Sequence, residues 1–149
     1  MNKVYIALYK GARDGHTLWT YWAIFCDYAT RKMTKGLYSH CELVINKGNQ
    51  IFDCYSSSVR DKGVRMKSMK LPKSKWDLIA VNISEQKVID YFSANKDKKY
   101  DFLGAGGIVL GVPEDRNKLF CSEFVFNCIT GSDKGWRFSP NDLYPIFGD

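Results

Sequence analysis

The stretch Leu37-Tyr38-Ser39-His40-Cys41-Glu42-Leu43-Val44-Ile45-Asn46-Lys47-Gly48-Asn49-Gln50-Ile51-Phe52-Asp53-Cys54-Tyr55-Ser56 decides how this chain folds. Two strand-like runs flank Asn46-Lys47-Gly48-Asn49, where Asn and Gly tolerate the positive φ of a tight turn, so the pattern predicts a hairpin. With that turn Ile45 faces Gln50, and the numbers of paired residues sum to 95. Glu42 then faces Asp53 and His40 faces Tyr55. Alternation puts Tyr38, His40, Glu42 and Val44 on one face, with Asp53 and Tyr55 beside them. Asp53 becomes the diagonal neighbour of His40, about 7–8 Å away between backbones.

Outward from the hairpin, strand and helix signals alternate. Val4 to Tyr9 is a short apolar strand closed by Lys10-Gly11. Leu18 to Met33 is a helix, with Trp19, Trp22, Ala23, Phe25 and Cys26 at roughly helical spacing and Lys35-Gly36 at its end. Val64 to Leu71 and Trp76 to Ile83 are further strands, and Ser84 caps a helix running to about Lys96. Tyr100-Asp101-Phe102 leads into a glycine-rich run, Gly104 to Gly111, and then a polar loop, Pro113 to Lys118. The run lacks a following Gly-Lys-Ser/Thr and is no phosphate-binding loop. Cys121 to Ile129 is a buried helix stopped by Gly131, and Ser139-Pro140 starts a last short one. No repeat or linker divides residues 1–149, which predicts one α+β domain, a central antiparallel sheet flanked by helices.

The composition limits what such a domain can be. With 149 residues, 45% of them hydrophobic, the chain can bury a real core. No apolar run approaches the ~20 residues of a membrane-spanning helix. Met1 to Tyr9 breaks off at Lys10-Gly11 with no cleavage site of small residues. The expectation is a soluble cytoplasmic protein, or a phage product that reaches its target by lysis or injection. The five cysteines are odd in number and form no C-x-x-C pair, which argues against a disulfide framework. Neighbours on a strand face opposite ways, so His40 and Cys41 are not expected to share a metal ion, and no metal or organic cofactor is called for.

Net charge is +6, and seven basic residues fall between Arg60 and Lys75, opposed only by Asp61. Such a stretch suits an anionic polymer or membrane surface, or nucleic acid. It equally suits a solvated edge strand whose lysines discourage pairing.

Cys121 opens its helix, where unpaired backbone N–H groups favour a thiolate and can bind a developing oxyanion. A thiolate nucleophile needs a base. Of the two histidines, His16 lies in a glycine-bearing loop, whereas His40 sits inside a strand, an odd place for an unused polar ring. A carboxylate on one ring nitrogen fixes the tautomer and leaves the other nitrogen for the thiol. Glu42 and Asp53 are both candidates for that carboxylate. Cys128, further along the helix, reads as a core thiol.

Ser39-His40-Cys41-Glu42-Leu43-Val44-Ile45, following an N-terminal strand–helix unit, resembles the histidine strand of the circularly permuted NlpC/P60 proteins. These are papain-like cysteine hydrolases with YiiX-like and lecithin:retinol acyltransferase-like branches, in which the histidine precedes the cysteine. Phe120-Cys121-Ser122-Glu123-Phe124-Val125 resembles their nucleophile helix. Tyr100-Asp101-Phe102 and Ser139-Pro140-Asn141-Asp142-Leu143 also look like family features. Cys41 and Glu42 depart from the pattern, since Glu42 replaces a glycine common in the YiiX-like strand.

The resemblance implies a papain-like fold and a thiol amidase or peptidase with Cys121 as nucleophile and His40 as base and acid. Glu42 or Asp53 would orient the histidine. Glu42 can curl back along its own strand, while Asp53 fits the family's habit of using the next strand. Tyr100, Tyr38 and Tyr55 are candidate substrate contacts, and Glu123 a helix-start residue. Implied substrates are cell-wall peptides, other small peptides or acyl lipids. The rival expectation is a basic binding module that keeps this fold without catalysis.

Overall fold

Val4–Tyr9 (β1) is the strand on which the architecture turns, since five of its six residues are buried. A strand covered on both faces needs an almost unbroken apolar run, and Val-Tyr-Ile-Ala-Leu-Tyr supplies one. The computed structural model describes residues 3–100 and 118–148. Within them β1 lies between His40–Gly48 (β2) and Trp76–Val81 (β5), antiparallel to both. Ile51–Ser58 (β3) pairs with β2, and Gly63–Lys70 (β4) pairs with β3. Lys99–Tyr100 (β6) and Lys118–Leu119 (β7) complete the order β5-β1-β2-β3-β4-β6-β7.

The class is α+β, as the alternating pattern predicts. The sheet is mixed, not wholly antiparallel, because β6 and β7 run parallel. Nor is β4 an edge strand, although its only pair with β6 is Gly63 with Lys99. Asp101, Phe102, Gly104 to Gly111 and the expected polar loop from Pro113 to Asn117 lie outside the described residues, and Lys118, expected to end that loop, belongs to β7.

Among the described residues four α-helices accompany the sheet: Leu18–Thr34 (α1), Glu85–Asn95 (α2), Cys121–Thr130 (α3) and Pro140–Phe147 (α4). Ser84 Oγ accepts the Lys87 N–H at 3.1 Å, the expected α2 cap. Gly131 ends α3 at φ 72°, a left-handed stop that glycine adopts without strain. α3 is the buried helix, with Phe124 and Val125 fully enclosed against Ile6, Leu43, Val88 and Leu143 on one sheet face. A smaller cluster of Ala7, Val44, Phe52, Cys54 and Leu71 covers part of the other. α1 behaves differently. Its buried residues are Thr20, Ala23 and Asp27, and the aromatic residues at helical spacing point outward.

The hairpin register also differs from expectation. Leu43 pairs with Tyr55, Val44 with Cys54 and Ile45 with Asp53, so the numbers sum to 98. The turn sits later than predicted because Asn46 Oδ1 accepts the Gly48 N–H at 2.9 Å, forming a bulge inside β2. Asn49 and Gln50, at φ 53° and 62°, then make the two-residue turn. A shift of three is odd, and an odd shift moves every β3 side chain to the other face. Asp53 and Tyr55 therefore lie opposite His40 and Glu42.

Candidate active site

The site is held by polar clamps at both ends. Asn141, in α4, accepts the Tyr38 N–H and donates to the Tyr38 carbonyl, each at 2.8 Å, and donates to Thr34 Oγ1 at 2.7 Å. This fixes the segment that delivers His40. A Cβ on Gly36 would overlap the Asn141 carboxamide, so the approach needs glycine there. On the cysteine side, Ser57 Oγ donates to the Leu119 carbonyl at 2.6 Å and Ser122 Oγ to the Phe138 carbonyl at 2.7 Å. Glu123 Oε2 accepts the Phe120 N–H at 3.4 Å, the helix-start role expected of it.

Between these clamps Cys121, His40 and Glu42 meet, all buried. His40 Nε2 lies 3.0 Å from Glu42 Oε1. The other ring nitrogen is left for Cys121, which hydrogen-bonds the His40 side chain. Cys41 joins them: its thiol and its backbone N–H both hydrogen-bond the Cys121 sulfur. Alternation sends His40 and Cys41 to opposite faces, yet both reach one sulfur. The reason is position. His40 is the first residue of β2, so the N-terminus of α3 meets the strand at its end.

Glu42 is anchored from its far side by Arg65. Arg65 Nη2 donates to Glu42 Oε1 at 2.6 Å and Nη1 to Oε2 at 2.8 Å, a bidentate pair. The sheet explains the reach. Ala7 pairs with Glu42 and Ser56 with Arg65, so small side chains flank Glu42 and leave a channel for the guanidinium. Asp61 Oδ2 accepts from Arg65 Nε at 3.1 Å and steadies it.

The charges follow from these contacts. Burial alone would raise the Glu42 carboxyl, but hydrogen bonds from Arg65 and His40 and the Arg65 charge hold it at about 2. Burial would lower His40, and the Cys121 charge, its hydrogen bond and those of Glu42 instead carry it up to about 9. Cys121 is held well below an ordinary thiol, first by the Cys41 hydrogen bond and, against burial, by His40 and the Cys41 N–H. Cys41 is pushed up by burial and by the neighbouring thiolate. The proton of the Cys121–His40 pair therefore rests on the imidazole near neutral pH.

A cavity of about 390 Å³ opens beside His40 and Glu42, lined also by Tyr9, Arg13, Arg60, Arg65 and Trp76. A smaller one, about 30 Å³, is lined by Ser39, His40, Arg13, Asp27 and Tyr100. Another cavity of about 420 Å³ lies between α2 and α3, but its thiol, Cys128, is pushed up to about 12 by burial. That raised thiol is a poor nucleophile.

Of the candidates named from sequence, Cys121, His40 and Glu42 come together, and Tyr100 lines the small cavity beside His40. Asp53 does not: it accepts from Ser68 Oγ at 2.5 Å and faces Lys47 at 3.9 Å on the other side of the sheet. Tyr55 packs edge-on against Phe92, and Tyr38 donates to Asp77 Oδ2 at 2.7 Å while stacking on Tyr144. The basic stretch is partly consumed by acids, with Arg65 and Lys67 on Asp61 and Lys75 on Asp14. Arg65 and Cys41 were not singled out by sequence reasoning. The correct hairpin register, extended one strand to Ser56–Arg65, is the signal that finds Arg65. No protein-family model and no curated protein matches this chain.

Proposed function

We propose that the protein is a papain-like thiol hydrolase of the circularly permuted NlpC/P60 kind, cleaving an amide or ester bond. The observation that carries this reading is Cys121 at the start of a buried helix, hydrogen-bonded to a histidine whose other nitrogen is held by Glu42. A strand histidine ahead of a helix-opening cysteine is also the chain order that the permuted arrangement requires.

The chemistry follows from the charges. The Cys121 thiolate adds to the substrate carbonyl carbon, and the oxyanion is met by the Cys121 backbone N–H, unpaired at the first turn of α3. Collapse expels an amine or alcohol, which takes the proton from the His40 imidazolium, leaving a thioester on Cys121. His40, now neutral, takes a proton from water as its oxygen adds to the thioester. Expulsion of the thiolate restores the Cys121–His40 ion pair and releases a carboxylic acid. Glu42 keeps the ring in one orientation throughout and stabilises its charged form, and Arg65 keeps Glu42 ionised.

Cell-wall peptides, other small peptides and acyl lipids are the substrate classes this reading admits, with Tyr100, which lines the small cavity beside His40, as a candidate substrate contact. The rival, a basic binding module, draws less support because Arg65, Lys67 and Lys75 are engaged by acids. Hydrolysis of an activated ester such as p-nitrophenyl acetate, with trapping of the acylated protein, tests the proposal. The acyl group should be found on Cys121, and both Cys121→Ser and His40→Ala should lose turnover. Undiminished turnover by Cys121→Ser would overturn it.

A further inference from the structure

α1 is built inside out. The side it turns to the protein carries Thr20, Ala23 and Asp27, with Asp27 accepting from Arg13 at 2.6 and 3.2 Å. The side it turns away carries Leu18, Trp19, Tyr21, Trp22, Phe25 and Tyr28, exposed from 46% for Trp22 to 84% for Leu18. Five of these residues, Leu18 to Phe25, line an open apolar trough of about 490 Å³. Surface helices of water-soluble proteins bury their apolar stripe and expose the polar one. A contiguous aromatic patch of this kind marks a place where something else sits.

Charge decides among the occupants. The helix has one acid, and Asp27 is buried with Arg13, so no carboxylate of α1 faces outward. Cations border the aromatic face: Lys32, whose ammonium lies 5.6 Å from the Tyr28 ring centre, Lys35 at the cap, and Lys62, whose ammonium lies 5.0 Å from the Trp19 ring centre. A second copy meeting this face about a two-fold axis would bring the same cations together with no acid of α1 to meet them. An anionic bilayer meets both features at once. Trp and Tyr are at home at the headgroup level, Leu and Phe reach the acyl boundary, and lysines snorkel to lipid phosphates.

We infer that α1 is an interfacial helix that seats the protein on an anionic membrane surface, with Trp19, Trp22 and Phe25 entering the bilayer. No helix among the described residues is long and apolar enough to cross a membrane, so the contact is one of lying on the surface. The inference stands apart from the hydrolase reading. The two adjoin in space, however, because Ala23, Cys26 and Asp27 of α1 line the small cavity beside His40.

Co-sedimentation of the full chain with vesicles tests it, one set made of equal phosphatidylglycerol and phosphatidylcholine and one of phosphatidylcholine alone. Binding should favour the anionic set and weaken with added salt. Trp22→Ser with Phe25→Ser should abolish it while circular dichroism stays native, since both side chains are exposed. Lys32→Glu with Lys35→Glu should weaken it roughly tenfold or more and serves if the aromatic variant does not fold. Failure to bind anionic vesicles, or undiminished binding by a folded variant of either kind, would overturn the inference. So would a concentration-dependent dimer that the aromatic substitutions dissolve, since a second copy would then be the occupant.

Discussion

His40 Nε2 stands 3.0 Å from Glu42 Oε1, two residues along the same strand. That spacing puts both side chains on one face, and the long Glu42 side chain turns back toward the ring. Because Arg65 grips the same carboxylate bidentately, Glu42 is a fixed acceptor. The orientation of the imidazole, and so the nitrogen it offers to Cys121, follows from this pair.

The first prediction separates the two carboxylates. Glu42→Gln should lower kcat by at least about tenfold, because the imidazolium loses its charged partner and the amide can hold the wrong tautomer. Asp53→Asn should leave turnover within about twofold, since Asp53 lies on the other face, bonded to Ser68. Steady-state kinetics on both variants decide the matter. The reverse order of losses would return Asp53 to the site.

Much of this is legible in the sequence, and the exceptions have physical causes. The cysteine helix, its cap by Glu123 and its stop at Gly131 follow from local chemistry that packing does not alter. The hairpin's existence was equally clear. Its register was not, because Asn46-Lys47-Gly48-Asn49 looks like the turn while the Asn46 side chain makes it a bulge. One misplaced turn changed the face of Asp53 and Tyr55 and hid Arg65 among surface cations. α1 misled for a related reason. Helical periodicity shows that an apolar face exists, not which way it points.

The second prediction concerns pH. The ion pair needs a protonated His40, and its pKa is raised to about 9. Turnover should therefore hold through neutral pH and fall as pH rises through about 9. Stability follows with the same sign. The His40 contribution is fully present below the unfolded value near ~6.5 and is lost as pH rises through the folded value. Glu42 has the opposite sign, its contribution being lost only as pH falls toward about 2. A pH–rate profile with matched thermal melts checks both. A turnover limb rising between pH 8 and 9 would contradict the assignment.

Arg65 supplies a third. Removing one partner of a buried ion pair leaves the other uncompensated, so Arg65→Ala should cost about 3–5 kcal/mol of stability. Arg65→Lys should recover only part of this, because an ammonium cannot reproduce the two-pronged contact. Urea unfolding of the three proteins gives the comparison. A loss for Arg65→Ala below about 1 kcal/mol would mean that Glu42 is not held as described.

Cys41 supplies a fourth. Cys41→Val keeps the backbone N–H but removes the thiol that hydrogen-bonds Cys121. The pH midpoint for alkylation of Cys121 should move upward, with the His40 limb near 9 little changed. An unmoved midpoint would assign the lowering to His40, the Cys41 backbone N–H and the helix N-terminus, with no share for the Cys41 thiol.

The most direct measurement is the rate at which each of the five cysteines reacts with iodoacetamide between pH 5 and 7, read residue by residue by mass spectrometry of the native protein. Cys121, held as a thiolate by Cys41 and His40, should be modified far faster than Cys26, Cys41, Cys54 and Cys128, all pushed up by burial. His40→Ala should shrink that advantage, leaving the part that Cys41 supplies. Equal rates for Cys121 and Cys26, or a Cys121 rate indifferent to His40→Ala, would contradict the account.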